Sequence, residues 1–225
     1  LPTRAFHPGV PIARMVDPAM NEAMAETALW AVLALQRDFF DYQRQQAGAS
    51  WRPHPQRRAD EFPVLVLGRG QMGSAVARRL TANGFPVTRW GSRDGALLPQ
   101  LASAAVVINL LPLTPATRGI FNASTLAAMR AGASLVNLAR GGHVVDADLL
   151  AALDAGHLRH AVLDVFHEEP LPAVHRFWAH PKVTVLPHVA AATDPRSAAA
   201  VVAANVRRLR AGEPVEHRVD RERGY

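Results

Sequence analysis

The first regular pattern along the chain is a long run of apolar residues at helical spacing. The stretch "DPAMNEAMAETALWAVLALQRDFFDYQRQQ" predicts a single helix, with Asp17 as its cap and Pro18 at its first position. An apolar stripe would run along one face of this helix, and further apolar residues would lie beside the stripe. The stripe consists of Met20, Met24, Ala28, Ala31, Leu35 and Phe39, and the residues off the stripe are Leu29, Val32 and Leu33. Because the apolar residues exceed one face, we expect a second copy of the chain to cover this helix in a twofold homodimer.

From Pro63 onward, short apolar strands alternate with helical patterns. The predicted strands are "VLVLG", "PVTRW", "AAVVINL", "SLVNLA", "HAVLDVF" and "KVTVLP". The predicted helices are "MGSAVARRLTANG", "NASTLAAMRAG", "DADLLAALDAGHL" with Asp146 as its cap, and the closing "DPRSAAAVVAANVRRLRAG". This alternation favours an α/β fold with a doubly wound parallel sheet, covered by helices on both faces.

Composition narrows the classes of function. The 225 residues contain no cysteine, which excludes disulfides, thiolate catalysis and cysteine zinc sites, and no other ligand cluster predicts a metal. No apolar run is long enough to span a bilayer, so we expect a cytoplasmic protein without a membrane partner. The net charge is +6, but the basic residues are scattered and only Lys182 is a lysine. We therefore expect a solvated basic surface that attracts anionic ligands, and no nucleic-acid partner.

A glycine-rich turn follows the first predicted strand and opens a helix. In "VLGRGQMGSAV", Gly68, Gly70 and Gly73 have the spacing of a dinucleotide-binding loop, with Gln71 and Met72 at the helix start. Gly68 would form the tight turn, Gly70 would admit a pyrophosphate, and Gly73 would let the helix pack closely. This context predicts a Rossmann-type NAD(P)-binding domain.

The end of the second strand indicates which cofactor is bound. An NAD site usually has a carboxylate there, to bind the ribose hydroxyls. Here the chain has Gly91, Ser92 and Arg93, and Asp94 comes late. A hydroxyl and a guanidinium suit a 2′-phosphate, which predicts NADPH in preference to NADH.

Three polar residues follow later strands, where a doubly wound fold forms its site. Arg140, Glu169 and His188 could bind a carboxylate, orient an imidazole and donate a proton, respectively. Taken singly, Arg140 could instead pair with a carboxylate such as Asp146, Glu169 could be a solvated loop residue, and His188 could be structural. Their joint position behind a phosphate loop favours an active site for reducing 2-keto acids.

Several motifs in fixed order resemble the D-isomer-specific 2-hydroxyacid dehydrogenases, and among them the glyoxylate/hydroxypyruvate reductases. They are "GRGQMG", "INLLPLTPATRGIFN", "NLARGGHVVD", "LDVFHEEPLP", "HPKVTVLPHVAAAT" and "VDRERGY". The resemblance implies catalytic roles for Arg140, Glu169 and His188, and contact of Asp164 with the nicotinamide carboxamide. It also implies that the cofactor is lined by Leu111, Pro112, Thr117 and Ala139.

The resemblance further implies a domain division and a reaction. Residues 1–16 would be a remnant of a substrate domain, 17–212 the NAD(P)-binding domain, and 213–225 a tail returning to the substrate domain. The family's substrate domain mostly precedes the nucleotide domain, so we expect most of it to be missing from this chain. The implied function is reduction of small 2-keto acids such as glyoxylate and hydroxypyruvate. The alternative is a non-catalytic, nucleotide-sensing protein similar to the related corepressors.

Overall fold

The computed structural model describes residues 10–220 and contains one six-stranded parallel sheet. The strands are β1 (Val64–Leu67), β2 (Val87–Trp90), β3 (Val106–Asn109), β4 (Ser134–Asn137), β5 (His160–Leu163) and β6 (Val183–Val185). Their order in the sheet is β2-β1-β3-β4-β5-β6. The chain therefore places β2 on one side of β1 and adds the later strands, from β3 onward, on the other side. The predicted doubly wound parallel sheet is confirmed, and its switch point lies beside the glycine-rich turn.

Helices cover both faces of the sheet. They are α1 (Pro18–Gln36), α2 (Phe39–Ala47), α3 (Gln71–Ala82), α4 (Leu98–Ser103), α5 (Ala123–Ala127), α6 (Asp146–Asp154) and α7 (Pro195–Arg210). In β1, Val64 and Val66 face the core under α1 and α3, whereas Leu65 and Leu67 face the core under α4, α5 and α6. The four inner strands β1, β3, β4 and β5 are buried on both faces, which explains why their sequences are mostly apolar rather than alternating. The edge strands β2 and β6 are only partly buried.

The prediction of one long helix from Asp17 is wrong, because the helix breaks at Asp38. Asp17 caps α1 as expected, accepting a hydrogen bond from Ala19 N at 3.0 Å, but α1 ends at Gln36. Asp38 has a φ of 61°, in the left-handed region, and α2 begins at the next residue. The Asp38 side chain is only 7% exposed and lies 2.5 Å from Nη2 of Arg159. This buried ion pair, which local periodicity does not reveal, accompanies the change of direction.

Two smaller predictions about helices also need correction. Asp146 is the first residue of α6 rather than its cap, since Val145 holds the cap position. The Asp146 carboxylate instead lies 3.4 Å from His175 and 3.6 Å from His167. Helix α4 was not predicted; at six residues it is too short to show a helical period, although its Leu101 is fully buried.

The two ends of the described chain lie side by side. Ala13 and Arg218 form an antiparallel bridge, and the N–H of Val219 donates to the Ile12 carbonyl at 2.7 Å. The segments before α1 and after α7 therefore lie side by side. The domain division predicted for residues 1–16 and 213–225 stays a prediction, and residues 1–9 and 221–225 lie outside the described part of the chain. None of the helices within residues 10–220 is both long and apolar enough to cross a membrane.

Candidate active site

The glycine-rich turn has the shape that a pyrophosphate requires. Gly68 has a φ of 128°, and a Cβ on it would lie 2.9 Å from the Leu110 carbonyl. A Cβ on Gly73 would come within 2.1 Å of the Gly68 carbonyl, so α3 can approach the turn only with glycine there. A Cβ on Gly70, in contrast, would meet nothing within 4 Å. The open side of Gly70 therefore faces free space at the N-terminus of α3, where N–H groups are available to an anion.

Helix α3 begins at the next residue, Gln71, so both predicted contacts on this helix lie in its first turn. Gln71 is exposed and Met72 is half-buried against the core. Their positions fit a dinucleotide lying across the turn, and their contact with the cofactor stays a prediction.

The turn after β2 leaves one arginine unpaired. Asp94 accepts a hydrogen bond from the N–H of Gly91 at 2.7 Å and is bonded to Nε of Arg69. The Arg69 hydrogen bond holds the pKa of Asp94 below its usual value. Ser92 and Arg93 are exposed, and the Arg93 side chain has no hydrogen-bond or ion-pair partner within residues 10–220. The single carboxylate of this turn is thus neutralised, while Arg93 remains available.

The turn after β3 forms a second wall at the carboxyl edge of the sheet. Leu111 is buried and Pro112 is exposed, and the Pro112 carbonyl accepts a hydrogen bond from Oγ1 of Thr117 at 2.7 Å. Thr117 is 7% exposed, and its Oγ1 also accepts from the N–H of Thr114 at 2.9 Å. Thr117 therefore shapes this turn from inside, and its predicted contact with the cofactor is untested.

Glu169 and His188 form a direct pair at the ends of β5 and β6. Nδ1 of His188 lies 2.6 Å from Oε2 of Glu169, and Oε1 of Glu169 accepts from the N–H of Phe166 at 2.9 Å. Partial burial opposes ionisation of Glu169, but the bond from His188 and that N–H outweigh it, so the pKa of Glu169 lies below its usual value. Nε2 of His188 has no hydrogen-bond partner within the described residues. The pair therefore presents a half-exposed imidazole with one nitrogen held and one nitrogen free.

Asp164 supports the loop that carries His188. Its two carboxylate oxygens accept the N–H groups of Val189 and Ala190, at 2.7 and 3.1 Å. His188 itself has a φ of 56°, an unfavourable region for a residue with a Cβ. Burial raises the pKa of Asp164 despite these two donors, since the side chain is only 1% exposed. Asp164 therefore holds the backbone that follows the strained residue His188 in place through two hydrogen bonds. The predicted contact of Asp164 with the nicotinamide is untested.

Arg140 lies at the same edge and carries no ion pair. It is exposed, with Nη1 donating to the carbonyl of its neighbour Ala139 at 2.5 Å. Among residues 10–220, no carboxylate is within ion-pair distance of Arg140, and Asp146 contacts two histidines instead. The positive charge of Arg140 is near enough to favour ionisation of Glu169. Its guanidinium is therefore available to an anionic ligand beside the Glu169–His188 pair.

The other histidines near this edge have structural contacts. His143 is fully buried between the carbonyls of Arg140 and Pro112, at 3.1 and 3.3 Å. His167 lies 2.7 Å from the Val144 carbonyl, and His180 lies 3.1 Å from Asp154. These contacts give the three histidines structural roles within the fold or at its surface.

One cluster outside this site has the spacing of metal ligands. Asp38, Asp41 and His54 bring ligand atoms within 4.8 Å of one another. The guanidinium of Arg159 lies against both carboxylates, however, and Arg44 also pairs with Asp41. Although burial opposes it, the hydrogen bond from Arg159 lowers the pKa of Asp41. Because cations already fill the cluster, we interpret it as an ion-pair network.

Several residues of the site region were not predicted. Arg69, inside the glycine-rich turn, neutralises Asp94, and the buried Asn109 and Asn137 end β3 and β4 with their side chains bonded to each other. The signal for the asparagines was present, since both strands end in a polar residue after an apolar run, in "VVIN" and "SLVN". Arg69 gave no such signal, because its partner lies 25 residues away.

Comparison with known proteins identifies the family. The NAD binding domain of the D-isomer specific 2-hydroxyacid dehydrogenases matches residues 29–190. A glyoxylate/hydroxypyruvate reductase A of Klebsiella pneumoniae is 45% identical over 229 residues, which cover 96% of this chain and 73% of that protein.

Solved structures agree with this match. A D-isomer specific 2-hydroxyacid dehydrogenase from Xanthobacter autotrophicus Py2, in complex with NADPH and MES, is 42% identical with a TM-score of 0.92. The similarity covers 97% of this chain and 95% of that one. An NADPH-dependent glyoxylate/hydroxypyruvate reductase from Sinorhizobium meliloti, in complex with NADP and sulfate, is 37% identical with a TM-score of 0.93, over 97% of this chain and 74% of that one. The chain therefore belongs to the D-isomer specific 2-hydroxyacid dehydrogenases, a family of oxidoreductases, and carries their NAD-binding domain.

Proposed function

We propose that this chain reduces small 2-keto acids, such as glyoxylate and hydroxypyruvate, to 2-hydroxy acids with NADPH. The observation that carries the proposal is the 2.6 Å contact between His188 and Glu169, beside an unpaired Arg140 at the carboxyl edge of the sheet. Relatives named as glyoxylate/hydroxypyruvate reductases support the choice of substrate class.

The Glu169–His188 pair supplies the proton for the reaction. Glu169 is ionised at neutral pH and accepts a hydrogen bond from Nδ1–H of His188, so that in the imidazolium form Nε2–H is free to donate toward the substrate. When bound, NADPH supplies the hydride that reduces the carbonyl carbon. The carbonyl oxygen then gains negative charge, and the Nε2 proton of His188 neutralises it. Glu169 stabilises the charged imidazole before this transfer and keeps the ring in one orientation.

Arg140 binds the substrate's carboxylate. A guanidinium can donate two parallel hydrogen bonds to a carboxylate, a geometry that also orients the adjacent carbonyl. Such positioning contributes to the rate because it brings the reacting atoms together before the chemical step. Since no protein carboxylate competes for Arg140 within residues 10–220, this role requires no ion pair to break.

The cofactor is NADPH rather than NADH. The open space at Gly70 and the first turn of α3 fit a pyrophosphate, so the chain's own residues suit a dinucleotide. Ser92 and the unpaired Arg93 would hold the 2′-phosphate, while Arg69 neutralises the one nearby carboxylate, Asp94. The two solved relatives in complex with NADPH and NADP support this choice.

Turnover tests the proposal directly. The full-length protein that carries this chain, incubated with NADPH and glyoxylate or hydroxypyruvate, should consume NADPH and form the matching 2-hydroxy acid. His188→Ala should lower kcat by roughly two to four orders of magnitude, the range of general acid–base catalysis. Binding of NADPH without turnover of either acid would instead favour the nucleotide-sensing alternative.

We also propose that two copies of the chain associate through α1. Trp30 and Leu33, three residues apart on one side of this helix, are 43% and 37% exposed although both are large and apolar. Leu33 also lines an open groove of about 440 Å³, whose other wall includes Gln56, Arg57 and Phe85. A second copy related by a twofold axis would cover the tryptophan and the groove of both chains at once.

A further inference from the structure

The side chains of Asn109 and Asn137 form a hydrogen-bonded pair at the carboxyl edge of the sheet. The two residues are direct partners in the β3–β4 register, and Nδ2 of Asn109 donates to Oδ1 of Asn137 at 2.9 Å. They are 0% and 1% exposed. Burying two amides costs free energy, and an apolar pair would fill this position without that cost. The presence of two asparagines here therefore needs an explanation beyond packing.

Each asparagine also shapes the loop that follows its own strand. Oδ1 of Asn109 accepts from the N–H of Leu111 at 3.2 Å, and Oδ1 of Asn137 accepts from the N–H of Ala139 at 3.3 Å. Both contacts are Asx turns, which end a strand and set the direction of the next residues. In addition, Nδ2 of Asn137 donates to the Arg140 carbonyl at 3.1 Å. One amide pair therefore holds both the turn at Leu111 and the backbone of Arg140.

His143 provides a second bridge between the same two loops. Its Nδ1 lies 3.1 Å from the Arg140 carbonyl, and its Nε2 lies 3.3 Å from the Pro112 carbonyl. Burial lowers the pKa of His143, which favours the neutral ring. A neutral imidazole donates from only one nitrogen, so His143 can satisfy only one of these carbonyls. The amide of Asn137 can donate to the Arg140 carbonyl in either tautomer of His143.

We propose that Asn109 and Asn137 are positioning residues for Arg140. They fix the backbone from which Arg140 reaches the substrate's carboxylate, and they join it to the turn at Leu111 that lines the cofactor. The inference rests on the proposed function, because it assumes that Arg140 binds a 2-keto acid. Without the pair, the Arg140 backbone would spend less time in the productive arrangement, and substrate would be bound less well.

Steady-state kinetics of the full-length protein with NADPH and glyoxylate, well below the thermal midpoint of each variant, test this role. Asn137→Ala should lower kcat/KM for glyoxylate by about five- to thirtyfold, mainly through a higher KM. The Kd of NADPH, measured by fluorescence titration, should change by less than about threefold. Asn109→Ala should show a smaller loss, and the double variant should lose less than the product of the two single losses, because both act through one hydrogen-bonded pair.

Two further variants separate positioning from stability. Asn137→Ser retains a hydroxyl that can still bond locally, and its kcat/KM should lie between those of the wild type and Asn137→Ala. Val136→Ala lies on the same strand and faces the core under α1 and α3. It should destabilise the fold by cavity formation but leave kcat/KM for glyoxylate near the wild-type value.

Arg140→Ala, measured in parallel, tests the premise. If Arg140→Ala keeps the wild-type kcat/KM, the proposed function fails and the positioning role fails with it. If Arg140→Ala loses activity while Asn137→Ala and Asn109→Ala stay within about twofold of the wild type, only the positioning role is overturned. An equal loss in Val136→Ala would also overturn it, since a general loosening of the strand would then explain the effect.

Discussion

At the residue scale, the chemistry of this chain depends on how single charges are paired. Glu169 holds the imidazole of His188, Arg69 neutralises Asp94, and Arg140 and Arg93 have no protein carboxylate as partner within residues 10–220. The two paired carboxylates have lowered pKa values and are ionised at neutral pH. The unpaired guanidinium groups are the ones we propose to bind ligand anions, which leads to two predictions.

Glu169→Gln should move the alkaline limb of the kcat/KM profile to lower pH, by up to about one pH unit. The carboxylate is ionised over this range, because its pKa is lowered, and it stabilises the imidazolium of His188. Glutamine keeps a hydrogen-bond acceptor but removes the negative charge that faces Nδ1 of His188. The measurement is kcat/KM for glyoxylate from pH 5 to 10, on the order of ten points per variant. An unchanged alkaline limb would remove the charge of Glu169 from the mechanism.

Arg93→Ala should weaken NADPH by about ten- to a hundredfold and leave NADH nearly unchanged, because a hydrogen bond to a charged phosphate contributes about 1.5–3 kcal/mol. The measurements are the KM values of both cofactors at saturating glyoxylate. Arg52→Ala, another exposed arginine, in the linker before β1, is the matched control and should alter neither value. Equal small effects on both cofactors, or a wild-type preference for NADH, would contradict the assignment.

At the element scale, ion pairs and close backbone contacts decide where helices begin and end. The break between α1 and α2 accompanies burial of Asp38 against Arg159, which precedes β5 and also pairs with Asp41 on α2. Phe40 of α2 stacks on His160 of β5 with ring centroids 4.4 Å apart. The first turn of α2 is therefore attached to the sheet through the guanidinium of Arg159 and the ring of His160.

Arg159→Ala should lower the free energy of unfolding by roughly 2–4 kcal/mol, because it leaves two poorly exposed carboxylates without their shared cation. The measurement is urea denaturation followed by circular dichroism. The matched control is Arg196→Ala on α7, where the arginine of the Asp194 pair is 90% exposed and its removal should leave the free energy of unfolding nearly unchanged. Equal effects of the two substitutions would show that the network at Asp38 has no special role.

At the scale of the whole molecule, two properties depend on many residues at once: stability against pH and association. His160 lies in the sheet, 4% exposed, with Nε2 bonded to Oγ1 of Thr184 at 2.9 Å. Burial, with a contribution from Arg44, lowers the pKa of His160 to about 4. Between pH 6.5 and about 4, His160 is therefore neutral in the folded chain and protonated in the unfolded chain.

Stability should consequently fall as the pH is lowered from about 6.5 toward 4, since in this window the unfolded state binds more protons. The contribution of His160 should be at most about 3 kcal/mol, and above that window it should vanish. His160→Gln retains a donor toward Thr184 but cannot titrate, so its unfolding free energy should vary less over the same pH range. The test is urea denaturation of both proteins at several pH values. Parallel pH curves would contradict this role of His160.

The proposed dimer predicts a species of twice 24.3 kDa in analytical ultracentrifugation at micromolar concentration. Substituting both Trp30→Ser and Leu33→Ser should shift the protein to the monomer, because it removes the exposed apolar face of α1. Leu209→Ser on α7, where the leucine is 55% exposed, is the control and should leave the dimer intact. A wild-type protein that sediments only as a monomer would refute the association.

The sequence by itself determined the features that arise within a few neighbouring residues. Apolar runs bounded by turns specified the six strands, and the spacing of Gly68, Gly70 and Gly73 specified a phosphate turn whose backbone needs no distant partner. Tertiary structure decided what depends on residues far apart in the chain. The buried pair of Asp38 with Arg159 accompanies the break in the predicted long helix, and the register of β3 with β4 places Asn109 against Asn137. Periodicity reports the faces of an element, whereas a hydrogen bond across the sheet depends on where two elements come to rest.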